Sequence, residues 1–500
     1  MKQQLNYDAE FCGRVPLNQT NLIQPHGVLL VIDQTDHSIL QASENADAIF
    51  GTDVKDLVTS RFVDFLSDNH RRNLQQLLAT KASGKLPFLF GVANHEYLSF
   101  VHLQQEFYII EIDIRQRTPG NADSFVSVYQ PVKYVMAAIE AAATTEETCA
   151  VVANELKQLS GFDKVMIYRF DEAWNGDVIA EAKEEEMESY LGLKFPASDI
   201  PKQARDLYKK TPYRLIPAVD YTPVKLYPVL NPKTNAFTDL SDSNLRSVAA
   251  VHLEYLRNMQ VAASMSTRIL KNGELWGLIA CHHRTPNYLT YEMCSVFELM
   301  SSIITTKIDA VQSADLLAYN TNKLQTINEL MQQVYRHESP SAYVQTLSGL
   351  LEADGLSVVM DRQVYSYGQT PAEMEVQDLA LWLSSNETND LYHQPALSTV
   401  YEPAESYTAH ASGLLALPIE YSRGNFILAF RSEAVQKVDW GGNPAEAVQF
   451  ESDGKKYHPR ASFQQWQQVV RQQSIPWRQE VLQTAEEVKS IFTSYRLNNR

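Results

Sequence analysis

The sequence predicts an α+β protein: three consecutive mixed α/β units with antiparallel sheets, joined by long helices. Three observations carry this. Each third of the chain alternates short apolar runs of strand length with stretches of helical periodicity. Between Pro286 and Pro340 there is neither glycine nor proline. In that interval Met293, Val296, Phe297, Met300, Ile303, Ile304, Ile308 and Val311 fall at the three-and-four spacing of a helical stripe. If unbroken, the helix would run for roughly 70 Å, join two domains and offer a face for dimer packing; the alternative is two helices with a break near 313–320. Finally, the stretch 440–466 is too polar to form a core of its own, so it must lie against another part of the chain.

Five hundred residues are enough for about two to four domains. With 44% hydrophobic and 21% charged residues, the composition is that of an ordinary globular protein. A net charge of −17 argues against nucleic acid or an anionic membrane as partner. The cysteines at 12, 149, 281 and 294 have no metal-ligand spacing and are too sparse for a disulfide scaffold. No signal-type apolar run opens the chain and no membrane-length apolar stretch occurs, so a cytoplasmic protein is expected.

Taken in order, residues 1–20 are polar and turn-rich and hold Cys12 beside Gly13, either a reachable thiol or an inert small hydrophobe. The first unit, 21–130, starts with the tight turn Gln24-Pro25-His26-Gly27 feeding a strand, and carries a helix near 69–80. A helical stretch at 132–159 opens the second unit, 131–312. Strands follow at 164–170 and 177–182, then a helix over 184–190. Further strands at 265–270 and 275–283 are joined by a Lys271-Asn272-Gly273 hairpin turn. The connection 215–244 is rich in Pro, Asn and Asp, and at that length is either disordered or functional. The third unit, 313–500, has strands at 356–361, 412–420 and 425–431, and closes on a helical pattern from Val481 to beyond Phe492.

Candidate chemistry gathers in the second unit. In FPASDIPKQARDLY (195–208), prolines 196 and 201 bracket a Ser-Asp-Ile turn that presents the carbonyl and carboxylate of Asp199 ahead of a helix. A carboxylate placed so is an N-cap or a ligand group. Arg214 and Arg246 suit forked bonds to carboxylates, unless they pair with surface acids. Ser264 and Ser266 share one face of a strand, His252 and Tyr255 one face of a helix, and Tyr168 and Phe195 supply aromatic wall. Together they suit a large, mostly apolar ligand with acidic arms. Cys281 and His282 are adjacent on a strand, point to opposite faces and form no dyad. No GxSxG, HExxH, Walker or GxGxxG pattern occurs, no metal site is expected, and no enzyme is predicted.

The segments PASDIPKQAR (196–205), HLEYLRNM (252–259), LWGLIACHH (275–283), WGG (440–442) and PRASF (459–463) resemble, in order, the signatures of bacterial phytochromes. The resemblance covers essentially the whole chain. It implies PAS (21–130), GAF (131–312) and PHY (313–500) domains, an N-terminal figure-of-eight knot with 215–244 as its lasso, and a tongue hairpin near 438–466. The implied function is a red/far-red photoreceptor holding biliverdin IXα. Cys12 would form the thioether. Asp199 and Ile200 would lie along the pyrroles, and His252 would help keep the tetrapyrrole protonated. One propionate would meet Arg214, Arg246 and Tyr208, the other Ser264, Ser266 and His252. Tyr168, Phe195 and Tyr255 would surround ring D, with His282 on its carbonyl. Arg460 would pair with Asp199, and Ser462 and Trp440 complete the implied switch.

Two departures stand out. Ala249-Ala250-Val251 precede His252 where the family commonly has Ser-Pro, removing a serine contact. Val251 occupies the position at which plant and cyanobacterial relatives carry their linking cysteine, which leaves Cys12 and favours biliverdin. The resemblance further implies a homodimer through the GAF and PHY helices and an output partner or domain of unknown kind. The rival readings are a metabolite-sensing PAS–GAF module and a bilin reductase or lyase.

Overall fold

The computed structural model describes residues 17–80, 84–93, 95–115, 125–444, 448–450, 457–459 and 463–498. The chain divides into two compact units, one of residues 1–311 with 439–466, the other of 312–438 with 467–500.

The first unit opens with β1 (Leu22–Ile23), β2 (Gly27–Asp33) and β3 (Ile39–Ser43), followed by the helix Asp68–Ala79, capped by Ser67. β4 (Lys85–Val92), β5 (His95–Leu103) and β6 (Phe107–Asp113) complete an antiparallel meander. The expected helix over 132–159 is two helices, Phe125–Ala141 and Thr145–Ser160. Thr144 accounts for the division: its hydroxyl accepts from the Glu147 amide, and the Glu147 carboxylate accepts from the Ala143 amide.

The second sheet contains β7 (Lys164–Phe170), β8 (Gly176–Lys183), β9 (Lys194–Phe195), β10 (Tyr213–Ile216), β12 (Ala263–Lys271) and β13 (Glu274–His283). These six run in the order β10-β12-β13-β7-β8-β9, antiparallel to one another, and the sheet continues past β9 onto Gln436–Gly441 and Gln465–Val470. Asn272 and Gly273 both have positive φ, 52° and 80°, as the two-residue turn between β12 and β13 requires. One face of this sheet, with Val165, Ile167, Met265, Ile279 and Cys281, packs into a core under the flanking helices.

The expected helix over 184–190 is absent: the segment is an irregular turn. Tertiary bonds override its local preference. Glu181 takes the Tyr190 amide, and Lys164 donates to the Glu188 carbonyl. The connection 215–244 is ordered. Its strand β11 (Val224–Tyr227) joins the first sheet between β1 and β3. Residues 18–24 are gripped from two sides. β11 pairs with Leu22 and Ile23, while the Asp239 carboxylate accepts from Asn18 and the carbonyls of Leu215 and Asn244 accept from Gln24. Both arms of the expected lasso thus hold the N-terminal segment; residues 1–16, Cys12 included, lie outside the described residues.

The helix Tyr291–Tyr335 is a single element of 45 residues, without the break considered near 313–320. In the second unit, β14 (Gly355–Met360), β15 (Gln363–Gly368), β16 (Tyr392–Gln394), β17 (Gly413–Glu420) and β18 (Asn425–Arg431) form an antiparallel sheet in the order β15-β14-β18-β17-β16. The helix Gln479–Asn498 buries Val481, Ala485, Val488 and Phe492 in that unit's core.

Residues 439–466, the stretch too polar for a core of its own, belong to the first unit. Trp440 pairs in parallel with Lys194, Phe463 is buried with Tyr168 and Phe195, and His458 meets the Glu254 carboxylate at 2.9 Å. Among the described residues, no helix is long and apolar enough to cross a membrane, and no cluster of metal-ligand type occurs.

Candidate functional site

The site grows from strand alternation. Because β12, β13 and β7 pair in register, Ser264, His282 and Lys164 form one row; Ser266, Ala280 and Met166 form the next. Leu278 and Tyr168 lie opposite each other one row further on. All of these face away from the core side that holds Cys281. Above this face lies a cavity of about 390 Å³, closed by the 197–211 segment, the 246–259 segment and Pro459.

The turn carrying Asp199 is a 3-10 turn over Ala197–Asp199, followed by the helix Lys202–Lys210 with Pro201 at its cap position. Asp199 is therefore not an N-cap; its carboxylate accepts from the Tyr255 hydroxyl at 2.9 Å. Arg205 holds the turn in shape. Its guanidinium is buried, donates to the Ile200 carbonyl at 2.7 Å and stacks on the Trp174 ring at 4.7 Å. Nothing in its residue type singles out Arg205 in the sequence; the one signal is its position five residues past Ile200, on the helix the turn feeds.

At one end of the cavity stand two arginines, Arg246 buried and Arg214 partly buried. Arg214 donates to the carbonyls of Asn244 and Arg246, and Arg246 to those of Leu240 and Ser241. Among the described residues neither forms an ion pair with a carboxylate, so the surface-pairing alternative does not hold. Burial, then the neighbouring Arg214, pushes Arg246 down to about 9, and burial lowers Arg214 as well. Burial raises the Tyr208 hydroxyl, opposed by a bond to Ser266 and by the two arginines. Ser264 and Ser266 line the same cavity.

His252 stacks on Tyr255, ring centroids 6.0 Å apart and planes within 11°. Burial, with Arg214 adding to it, lowers His252 to about 4, so its imidazole is neutral at neutral pH. His282 is 8% exposed and lowered to about 3, first by burial, then by Lys164 and His252. Its buried Nδ1 has no hydrogen-bond partner among the described residues. The adjacent His283 turns the other way and meets Asp163 at 3.0 Å, which separates the two histidines into one cavity residue and one structural residue.

The aromatic wall is Tyr168, Tyr190 and Phe195, with Tyr255 opposite. Gly176 packs against the Tyr168 ring so closely that any side chain there would displace it. Gly441, from the 439–466 stretch, packs on the Phe195 ring, less closely but still without room for a side chain. Of the expected site residues, Tyr168, Phe195, Asp199, Ile200, Tyr208, Arg214, Arg246, His252, Tyr255, Ser264, Ser266 and His282 all line this one cavity. Val251 lines it too. Trp440 lies on the strand that joins β9. Cys12, Arg460 and Ser462 lie outside the described residues, so the expected Asp199–Arg460 pair does too. The other three cysteines are buried, and burial raises all three thiols, Cys149 and Cys294 to about 12.

These features fit a linear tetrapyrrole with two acidic arms. Two cations, Arg246 buried and Arg214 partly so, with no acid partner among the described residues suit propionates, an imidazole nitrogen with no partner there suits a carbonyl, and an apolar cavity suits the rings.

Comparison with known proteins agrees with this chemistry. The chain matches the family description "PAS fold" over residues 12–115, "GAF domain" over 144–308 and "Phytochrome region" over 322–500. It is 38% identical over 498 residues to cyanobacterial phytochrome B of Nostoc sp., covering 97% of this chain and 66% of that protein. It is 31% identical over 506 residues to a bacteriophytochrome of Xanthomonas campestris pv. campestris, covering 97% and 78%. Among solved structures, a bacteriophytochrome from the photosynthetic bacterium R. palustris superposes with a TM-score of 0.83 at 31% identity, covering 97% of this chain and 99% of that one. The photosensory core module of the Stigmatella aurantiaca phytochrome gives 0.81 at 32% identity, covering 97% and 98%. The chain thus spans about two thirds of the Nostoc relative and nearly all of each photosensory structure.

Proposed function

Since this chain belongs to the phytochrome photoreceptor family, with PAS, GAF and PHY domains in order, we propose that its cavity holds biliverdin, linked through Cys12, as a red/far-red light sensor. The observation that carries this reading is the buried Arg246 beside the partly buried Arg214, neither with an acid partner among the described residues, sharing one cavity with a His282 Nδ1 that lacks a hydrogen-bond partner among them too. When bound, the bilin supplies red-light absorption and rotation about the double bond between rings C and D. Arg246, Arg214 and Tyr208 would hold one propionate; Ser264, Ser266 and His252 would hold the other. His252, neutral and half-buried, would serve the pyrrole N–H groups beside the Asp199 carbonyl. His282 would bond the ring D carbonyl within the Tyr168, Phe195 and Tyr255 wall.

Attachment through Cys12 is supported by the chain itself. Leu17 stands in the cavity wall, and five residues reach at most about 18 Å, so the thiol is tethered within that range. The other cysteines are buried, with thiols held protonated. Val251, at the alternative linking position, has no thiol.

We read the 439–466 stretch as the reporter. It contacts the cavity wall through Gly441, Pro459 and Phe463, and Arg460 would pair with Asp199 in one photostate. The chain would act without catalysis, in the cytoplasm, as a homodimer through its helices, passing its signal to an output partner or domain. The test is addition of biliverdin to the purified chain and to its Cys12→Ser variant. A reversible red/far-red difference spectrum is expected, with pigment surviving denaturation only in the wild type. Covalent retention by the variant, or no colour change in the wild type, would sink the proposal. Colourless protein would favour a metabolite sensor.

A further inference from the structure

The row that contains Ser264 and His282 continues to Lys164 and then to Lys183 on β8; Lys164 does not itself line the cavity. Lys164 is 1% exposed. Its ammonium donates to the Glu188 carbonyl, lies 3.7 Å from the Glu181 carboxylate and stands 3.7 Å from the centre of the Tyr190 ring. Glu181 completes the clamp by accepting from the Tyr190 amide at 2.9 Å and from the Ser189 hydroxyl at 2.5 Å. A buried lysine and a buried glutamate side chain on neighbouring strands thereby hold the 184–193 turn, which local sequence preference would not shape this way. The turn carries Tyr190, a cavity wall residue set edge-on to Phe195.

We propose that Lys164 is a positioning residue for the pigment site: it holds Tyr190 against the cavity and keeps a positive charge behind His282. This deepens the bilin reading above and rests on it. The charged and titratable groups facing Lys164 are Glu181 and Lys183 on β8, Glu188 in the turn and His282 on β13. Burial is the largest influence on the ammonium and lowers it to about 8, with the two glutamates opposing. A base lowered by folding binds fewer protons folded than unfolded between pH 8 and its ordinary 10.5, so stability rises with pH across that window. The cation is thus kept at neutral pH against the stability of the fold, where a methionine of similar length would bury at less cost. What the charge achieves is geometric and electrostatic: a fixed wall, and an imidazole at His282 that stays neutral.

The experiment has two readouts, hydrogen–deuterium exchange on the pigment-free chain and the absorption spectrum after biliverdin is added. In Lys164→Met, exchange at the amides of Tyr190, Gly192 and Leu193 should rise about tenfold, as expected when a clamping bond is lost. Its red absorption maximum should move while pigment is still retained. Lys164→Arg, which keeps the cation, should restore both. Glu181→Gln should loosen the same amides by a smaller factor, and decides the matter if Lys164→Met does not fold. Wild-type protection in Lys164→Met or in Glu181→Gln would overturn the proposal, as would an arginine that restores neither readout. A wild type that takes up no pigment would defeat the bilin reading alone, because the exchange result still decides the clamp.

Discussion

The middle and last domains build similar antiparallel sheets and treat the two faces differently. In the last, one face carries Leu356, Val358, Leu417 and Ile427 into one apolar core, and the other carries Leu414, Phe426, Leu428 and Phe430 into a second. In the middle domain one face is equally apolar, but the other exposes Ser264, Ser266, His282 and Ala280 to a cavity. A face of large apolar side chains is covered by packing; a face of small and polar ones is left to a ligand. The same alternation of residues therefore produces a closed core in one domain and a binding site in the other.

That contrast can be broken first where packing is complete. Phe430→Ala should cost about 3–5 kcal/mol in the last domain, read from denaturant unfolding. Met166→Ala, beside the existing cavity, should cost only about 2 kcal/mol, because part of its surroundings is already void. Equal costs would show that the cavity face is as tightly packed as the other.

Acid should sharpen the comparison next. An unfolded histidine takes its proton near 6.5, whereas folded His282 resists to about 3, so the unfolded state binds more protons between those values. The pigment-free chain should therefore lose stability as pH falls, by about 2 kcal/mol from this residue between about pH 7 and about pH 5. His282→Gln should remove that share of the loss, measured as a smaller drop in the urea midpoint. An unchanged acid dependence would mean that His282 is not a buried neutral base.

The smallest effect concerns the turn at Asp199. Tyr255→Phe removes its hydroxyl bond to the Asp199 carboxylate and should cost about 1 kcal/mol. A loss much larger than this would mean that Tyr255 supports more of the cavity than its one bond to Asp199.

Local chemistry made a good part of this legible in the sequence. Strand alternation separates Cys281 from His282, and helical spacing joins His252 to Tyr255. The Asn272-Gly273 turn and the long helix without glycine or proline follow from backbone preference alone. What escaped depends on partners remote in sequence. β11 pairs with residues about two hundred positions away, and no periodicity announces that. The 184–193 turn is set by Lys164 and Glu181 from two strands, against a local pattern that reads as helix. Thr144, an N-cap residue type, was present in the sequence as a helix start and divides what reads as one helical stretch.

If the polar face of the middle sheet holds the pigment, Ala280→Trp should exclude it. Ala280 sits on the cavity floor between Met166 and Ser266, where an indole would fill the space the rings require. The variant should still unfold cooperatively but neither take up biliverdin nor change colour under red light. Normal uptake and photoconversion by that variant would place the pigment elsewhere and contradict the account.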